Sequence, residues 1–372
     1  MSEPDLDAYA LKSAAVAEVA APDLPYRPPL PRSYRPRVAL VGAGGISAAH
    51  LTVYKAAGLD VAVICNRTLS KAEARRDEFF PNAEATDDIQ RTLTRDDIAV
   101  VDITPHPAER RAMIETALEA GKHVLSQKPF VLDLDAGKAL CDLADEKGVL
   151  LAVNHNGRWA PHLSWIREAV RAGLVGNVHS CDVSIHWDHG WIAGTAFDDI
   201  EDLILYDFAV HWFDFLVSLI GNRATSVYAV KARASNQTAR PPLMAEAIVT
   251  FEGGQAGLTF DGAAKFGAED RTVVTGSEGT LNSRGPDLGS QEVILTTAAG
   301  VARPKLEGTW FKEGFLGTMG ALLKAIEDGT RPINEARGNL DALALVFAAI
   351  ASTRRNAPVV PGTVRSLAEA QA

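Results

Sequence analysis

The sequence predicts an α/β fold in two parts, and three observations carry that prediction. Short apolar strands alternate with helical segments from Arg37 to about residue 153, the pattern of a parallel, doubly wound sheet. A glycine-rich turn, "VGAGGISAAHL", follows the first of these strands. Beyond residue 176 the pattern changes to longer strands: "NVHSCDVSIHWDH", "SVYAVKARA", "EAIVTFEGG" and "QAGLTFDGAA". The chain thus divides into a proline-rich arm (1–36), a doubly wound domain (37–153) and an α+β domain (154–372).

The arm contains "PDLPYRPPLPRSYRPR", whose proline density favours an extended segment. The strands that follow read "RVALV", "VAVIC", a short "EAT", "VVDI", "HVLS" and "LLAV". Ser70 and Glu73 make a capping box ahead of "AEARRDEFF", and Pro81 stops that helix. Gly121 closes "AERRAMIETALEA", and Gly148 closes "AGKALCDLADEK".

Composition narrows the function classes. A formal net charge of −10 opposes an electrostatic grip on nucleic acid or on anionic lipid. The three cysteines lie far apart, without metal or disulfide spacing, as expected of a cytoplasmic protein with reduced thiols. The opening "MSEPDLDAYALKSAAVAEVAAP" carries charges where a secretory leader needs an apolar core. No run is long and apolar enough to predict a membrane-spanning helix.

The glycine turn has the form of a dinucleotide-binding loop. Gly42 permits the tight turn, Gly44 lets the backbone approach a pyrophosphate, and Ser47 stands where a third small residue packs helix on strand. Gly45 and Ile46 complete the loop, and Thr104 follows the fourth strand, so these join the candidate nucleotide contacts. The second strand ends in Asn66 and Arg67, where an acid would accept the ribose hydroxyls of NAD. Without that carboxylate, and with Arg67 able to meet a 2′-phosphate, the pair favours NADP slightly over NAD.

Lys128 sits at the carboxyl end of the fifth strand, the edge at which doubly wound sheets bind ligands. Pro129 follows it, and a cis bond there would fix the direction of the lysine. Residues 203–221, "LILYDFAVHWFDFLVSLIG", read as one buried helix. Asp207, His211 and Asp214 share a face of that helix and need polar partners.

"VGAGGISAAHL", "ALEAGKHVLSQKP", "VNHNGRWAP" and "DFAVHWFD", in that order, resemble the Gfo/Idh/MocA family of oxidoreductases. The resemblance implies a Rossmann domain beside a domain with a large, open, mainly antiparallel sheet. It implies an NAD(P)-dependent enzyme acting on a sugar or polyol, with Lys128, Asp207 and His211 catalytic, and a homodimer or homotetramer formed through the open sheet. His211 would take the hydroxyl proton, Lys128 would polarise the reacting oxygen, and Asp207 would support the imidazole or bind the substrate. Asp214 either joins them or serves as a structural partner. Gln127 replaces the family's usual glutamate, keeping a hydrogen-bonding group for the nicotinamide ribose without its charge. Asn156 and Arg158 fall where the resemblance places residues near substrate and cofactor.

Strand alternation puts His186 and Asp188 on one polar wall for sugar hydroxyls, and Trp187 could stack on a sugar ring. His186 and His189 fall on opposite faces, so no metal site is expected. Two alternatives remain: a redox-neutral, glycosidase-like enzyme with tightly held NAD, and a non-catalytic metabolite sensor.

Overall fold

The computed structural model describes residues 16–235 and 237–372. Most of the stretch read above for a secretory leader lies outside the described residues. Six parallel strands form the first sheet: β1 (Arg37–Val41), β2 (Asp60–Cys65), β3 (Glu84–Thr86), β4 (Val100–Ile103), β5 (His123–Gln127) and β6 (Leu151–Asn154). Their order, β3-β2-β1-β4-β5-β6, reverses direction between β1 and β4, which opens a crevice at the strands' carboxyl ends.

Period-two alternation sends Val38 and Leu40 to one face and Ala39 and Val41 to the other, so both faces need cover. Helices α1 (Ser47–Ala56) and α2 (Leu69–Phe79) cover the first face. Helices α3 (Ile89–Thr94), α4 (Pro107–Glu119) and α5 (Leu134–Lys147) cover the second. The capping box expected at Ser70 does not form. Thr68 is extended and the chain is already helical from Leu69, which puts Ser70 inside the first turn.

The second sheet has eight strands: β7 (Val178–His186), β8 (Ala224–Ala232), β9 (Met244–Phe251), β10 (Gly254–Asp261), β11 (Glu269–Gly276), β12 (Gly279–Asp287), β13 (Ser290–Thr297) and β14 (Gly300–Ala302). Only β7 and β10 pair in parallel; the other neighbours are antiparallel. Helices α6 (Pro161–Arg171), α7 (Val210–Ile220) and α9 (Ala336–Arg355) pack on its inner face. The outer face is open, with Ile248 and Val230 exposed. Helix α8 (Trp310–Asp328) returns to the first domain, where Phe315, Met319 and Leu322 join the core around β1 and α1. A short α10 (Leu367–Gln371) ends the chain.

The described part of the arm is extended and fastened at both ends. Val19 N–H donates to Val301 O at 2.9 Å, and Val301 N–H donates to Ala17 O at 2.8 Å, adding the arm to the edge of β14. Farther on, the backbone N–H groups of Arg32, Ser33 and Tyr34 all donate to the Glu327 carboxylate on α8.

The expected helix over residues 203–221 is not uniform. A π-helical turn, Ile204–Phe208, precedes α7, with Ala209 N–H donating to Ile204 O at 2.7 Å. The extra residue in that turn rotates Asp207 relative to α7. His211 and Asp214 both lie within α7.

Candidate active site

The crevice at the carboxyl ends of the first sheet is a cleft of about 500 Å³. Its wall includes Gly42, Gly44, Gly45, Ile46, Asn66 and Arg67 at one end, and Thr104, Gln127, Lys128 and Asp207 at the other. Gly42 turns at φ +103°, and a Cβ there would collide with Thr104 Oγ1. At Gly44 and Gly45 a Cβ would meet open space. Among the described residues, the N–H groups of Gly44, Gly45 and Ile46 have no hydrogen-bond partner, and they lead directly into α1. Free donors at a helix N-terminus beside bare backbone suit a pyrophosphate, so the residues fit a dinucleotide.

Asn66 is already engaged in holding the loop. Its Oδ1 accepts from Ala43 N–H at 3.0 Å, and its Nδ2 donates to Thr68 O at 3.0 Å. Arg67 is exposed, with Glu109 as its nearest anion at 3.7 Å. Lys71, also in the cleft wall, adds a second cation at this end.

At the other end the Lys128–Pro129 bond is cis, as expected from the sequence. Lys128 Nζ donates to the Asp207 backbone O at 2.9 Å and to its Oδ2 at 3.0 Å. Beneath this pair lies Arg110, fully buried, donating through Nη2 to Pro129 O. Burial holds the Arg110 guanidinium down to about 10. Asp207 pairs with the lysine rather than supporting the imidazole of His211.

His211 is half-buried, and its Nδ1 is sealed off without a partner among the described residues. Burial, with Lys128 and His155 nearby, keeps its pKa well below the usual histidine range. His189 is likewise pushed down to about 4 by burial, with Asp207 and Lys128 both close enough to act on its charge. Its ring lies 4.3 Å from that of Phe208 and parallel to Trp187. Phe197, from the loop after β7, reaches the same cleft beside His106.

Asp214 takes the structural role left open for it, and several expected contacts are corrected. Asp214 does not face the cleft: it is buried and forms a two-pronged pair with Arg158, at 2.7 and 2.8 Å. Arg158 is therefore not free to meet a substrate or cofactor. Asn156 is buried too, its Oδ1 accepting from Trp310 Nε1 at 2.9 Å. His186 lies on the outer face of the sheet, away from α7, bonded to Ser184 Oγ at 2.9 Å, because its neighbour Ile185 takes the inner side. Asp188 is exposed and accepts from Gly190 N–H at 2.8 Å in a turn. Trp187 packs inward against Phe208 and Trp212, in an aromatic cluster next to His211.

Sequence reasoning missed Arg110, His189, Lys71 and Phe197 as site residues. Lys71 lies four residues beyond Arg67, a spacing that could have suggested it. Phe197 reaches the cleft, and Arg110 and His189 come to lie beside its residues, only through tertiary packing. Among the described residues no cluster of His, Cys, Asp or Glu could hold a metal ion, and no helix is long and apolar enough to cross a membrane.

Comparison with known proteins places this geometry. Residues 36–155 match the oxidoreductase family with an NAD-binding Rossmann fold, and residues 164–282 match the GFO/IDH/MocA C-terminal domain. A D-apiose dehydrogenase of Paraburkholderia graminis is 26% identical over 86% of this chain and 88% of its own length. An inositol 2-dehydrogenase of Rhizobium meliloti is 26% identical over 85% of this chain and 96% of its own. In fold, the chain is similar to a levoglucosan dehydrogenase solved with NADH and levoglucosan (TM-score 0.77, 19% identity), over 89% of this chain and all of that one. Both halves match in order, so the chain belongs to the GFO/IDH/MocA family of NAD-binding oxidoreductases.

Proposed function

We propose that this protein transfers hydride between a nicotinamide cofactor and a secondary hydroxyl or carbonyl of a sugar or polyol. The observation that carries the reading is the Lys128–Asp207 pair, at 3.0 Å, in the same cleft as the glycine loop. The sugar and polyol dehydrogenases among its relatives support the substrate class.

A bound nicotinamide supplies the carbon that accepts or gives hydride. Lys128 polarises the reacting oxygen and stabilises negative charge that develops on it, while Asp207 fixes the ammonium in place. His211 takes the hydroxyl proton at Nε2. Its depressed pKa keeps the imidazole in the neutral, accepting form at ordinary pH, as a weaker base than an open histidine. The glycine loop and the start of α1 hold the phosphates. Arg67 and Lys71 support a modest preference for NADP, with Glu109 opposing it. The open outer face of the second sheet supports assembly into a homodimer or homotetramer.

A panel of sugars and polyols with each oxidised cofactor, followed by nicotinamide absorbance in the near ultraviolet, tests the reading. Cofactor reduction with at least one member is expected. Its absence, together with no oxidation of reduced cofactor by the matching carbonyl compounds, would contradict it.

A further inference from the structure

We propose that the reacting end of the cleft prefers the reduced, uncharged nicotinamide over the oxidised, cationic one, and that Gln127 sets this preference. The inference rests on the hydride-transfer reading and deepens it by assigning the redox form the site holds. Oxidised nicotinamide carries a positive ring charge and the reduced form does not, so fixed charge nearby changes the ratio of their affinities.

The charges at this end do not balance. Lys128 and Arg110 are cations, and Asp207 is the anion bonded to Lys128. Arg110 is fully buried, and among the described residues its one hydrogen bond is to the neutral carbonyl of Pro129. His211 and His189 are held neutral by their surroundings. Lys128 and Asp207 offset each other, which leaves the Arg110 guanidinium directly under the Lys128–Pro129 turn, while the Asp102 carboxylate lies farther back, behind Asn154 and His50.

Gln127 adds no negative charge, and its polarity is fixed from behind. Its Oε1 accepts from Lys128 N–H at 2.7 Å and from Asn154 Nδ2 at 3.1 Å. Asn154 Oδ1 lies 2.8 Å from Thr318 Oγ1, whose single hydrogen is shared between it and Phe315 O; the Lys128 N–H, which can only donate, is what fixes Gln127 Oε1. The other hydrogen on Asn154 Nδ2 meets His50 Nε2 at 3.1 Å, and His50 Nδ1 donates to Asp102 Oδ2 at 2.7 Å. Those directions are assigned from the network as a whole. His50, Asp102 and Asn154 are all fully buried, so the chain is enclosed. With Oε1 used twice on the protein side, Gln127 turns its N–H₂ end to the cleft. That end is the positive end of the amide dipole, which again disfavours a cationic ring.

Gln127→Glu keeps the length of the side chain and an oxygen to accept from Lys128 N–H and Asn154 Nδ2, replaces the N–H₂ donor with an acceptor, and adds one negative charge. Gln127→Met keeps the length and adds none. Both variants and the wild type would be titrated with the oxidised and reduced forms of NAD and NADP, following tryptophan fluorescence, with thermal unfolding as a control for folding. The wild type is expected to bind the reduced form about tenfold more tightly or better. Gln127→Glu should shrink that ratio by about tenfold, and Gln127→Met should move it much less. Equal binding of the two forms by the wild type, or an unchanged ratio in Gln127→Glu, would overturn this inference alone. Failure of the wild type to bind any form would overturn the hydride-transfer reading and this inference with it.

Discussion

Asp270 on β11 is fully buried, and neither carboxylate oxygen finds a partner among the described residues. Burial, with Asp287 nearby, pushes its pKa up to about 7 from 3.8. The folded state therefore binds this proton more tightly than the unfolded chain, and the stability cost grows as pH rises from 3.8 to about 7. Asp270→Asn should stabilise the protein by about 2–4 kcal/mol at pH ~8 and by little at pH ~4, measured by denaturant unfolding. At the nucleotide end, Arg67→Ala should weaken NADP binding about three- to tenfold and leave NAD nearly unchanged, since the side chain is exposed and bears on no core contact. Equal losses for both cofactors by calorimetric titration would return Arg67 to a surface role. Lys128 and Gly42 were legible in the sequence because a strand's carboxyl edge and a tight turn are local features. The role of Arg158 was not, because its partner Asp214 lies 56 residues away and nothing in the local pattern records that pairing.

Elements were legible to the extent that their periodicity was unbroken. The strands of the first sheet and the glycine ends of α4 and α5 fall where sequence places them, with Gly121 and Gly148 both at positive φ. The π-turn before α7 was hidden, because one added residue alters phase without altering composition. It separates Asp207, which meets Lys128, from Asp214, which meets Arg158. The elements around α7 also bury histidines: His155 before the turn Asn156–Trp159, and His162 in α6. Burial pushes His155 down to about 4 and His162 to about 3, against 6.5 for an open histidine. Since both pKa values are lowered on folding, this stability is intact above pH 6.5 and is lost as pH falls toward 4. Each should remove about 1.4 kcal/mol per pH unit across that window. Replacing His162 with Phe, which keeps a ring against Trp310, should flatten the slope of unfolding free energy against pH by that amount.

At the scale of the molecule, two sheets share one body because α8 and α9 cross between them and the arm ties β14 to α8. The alternation of strands and helices announced the first sheet, whereas the route of α8 back to it depends on contacts far apart in sequence. The second sheet leaves its outer face bare, with Ile248 on β9 opposite Tyr228 and diagonal to the exposed Val230 on β8. Light scattering at micromolar concentration should find a dimer or tetramer, and Ile248→Lys should shift it toward monomer; a monomeric wild type would contradict the proposed assembly. The central claim is that the cleft performs hydride transfer through Lys128. It is tested most directly by single-turnover hydride transfer in Lys128→Met, on protein shown to be folded and to bind cofactor. The account predicts a loss of roughly two to four powers of ten, with cofactor affinity changed only a few-fold. Near-normal hydride transfer in the folded, cofactor-bound variant would contradict it.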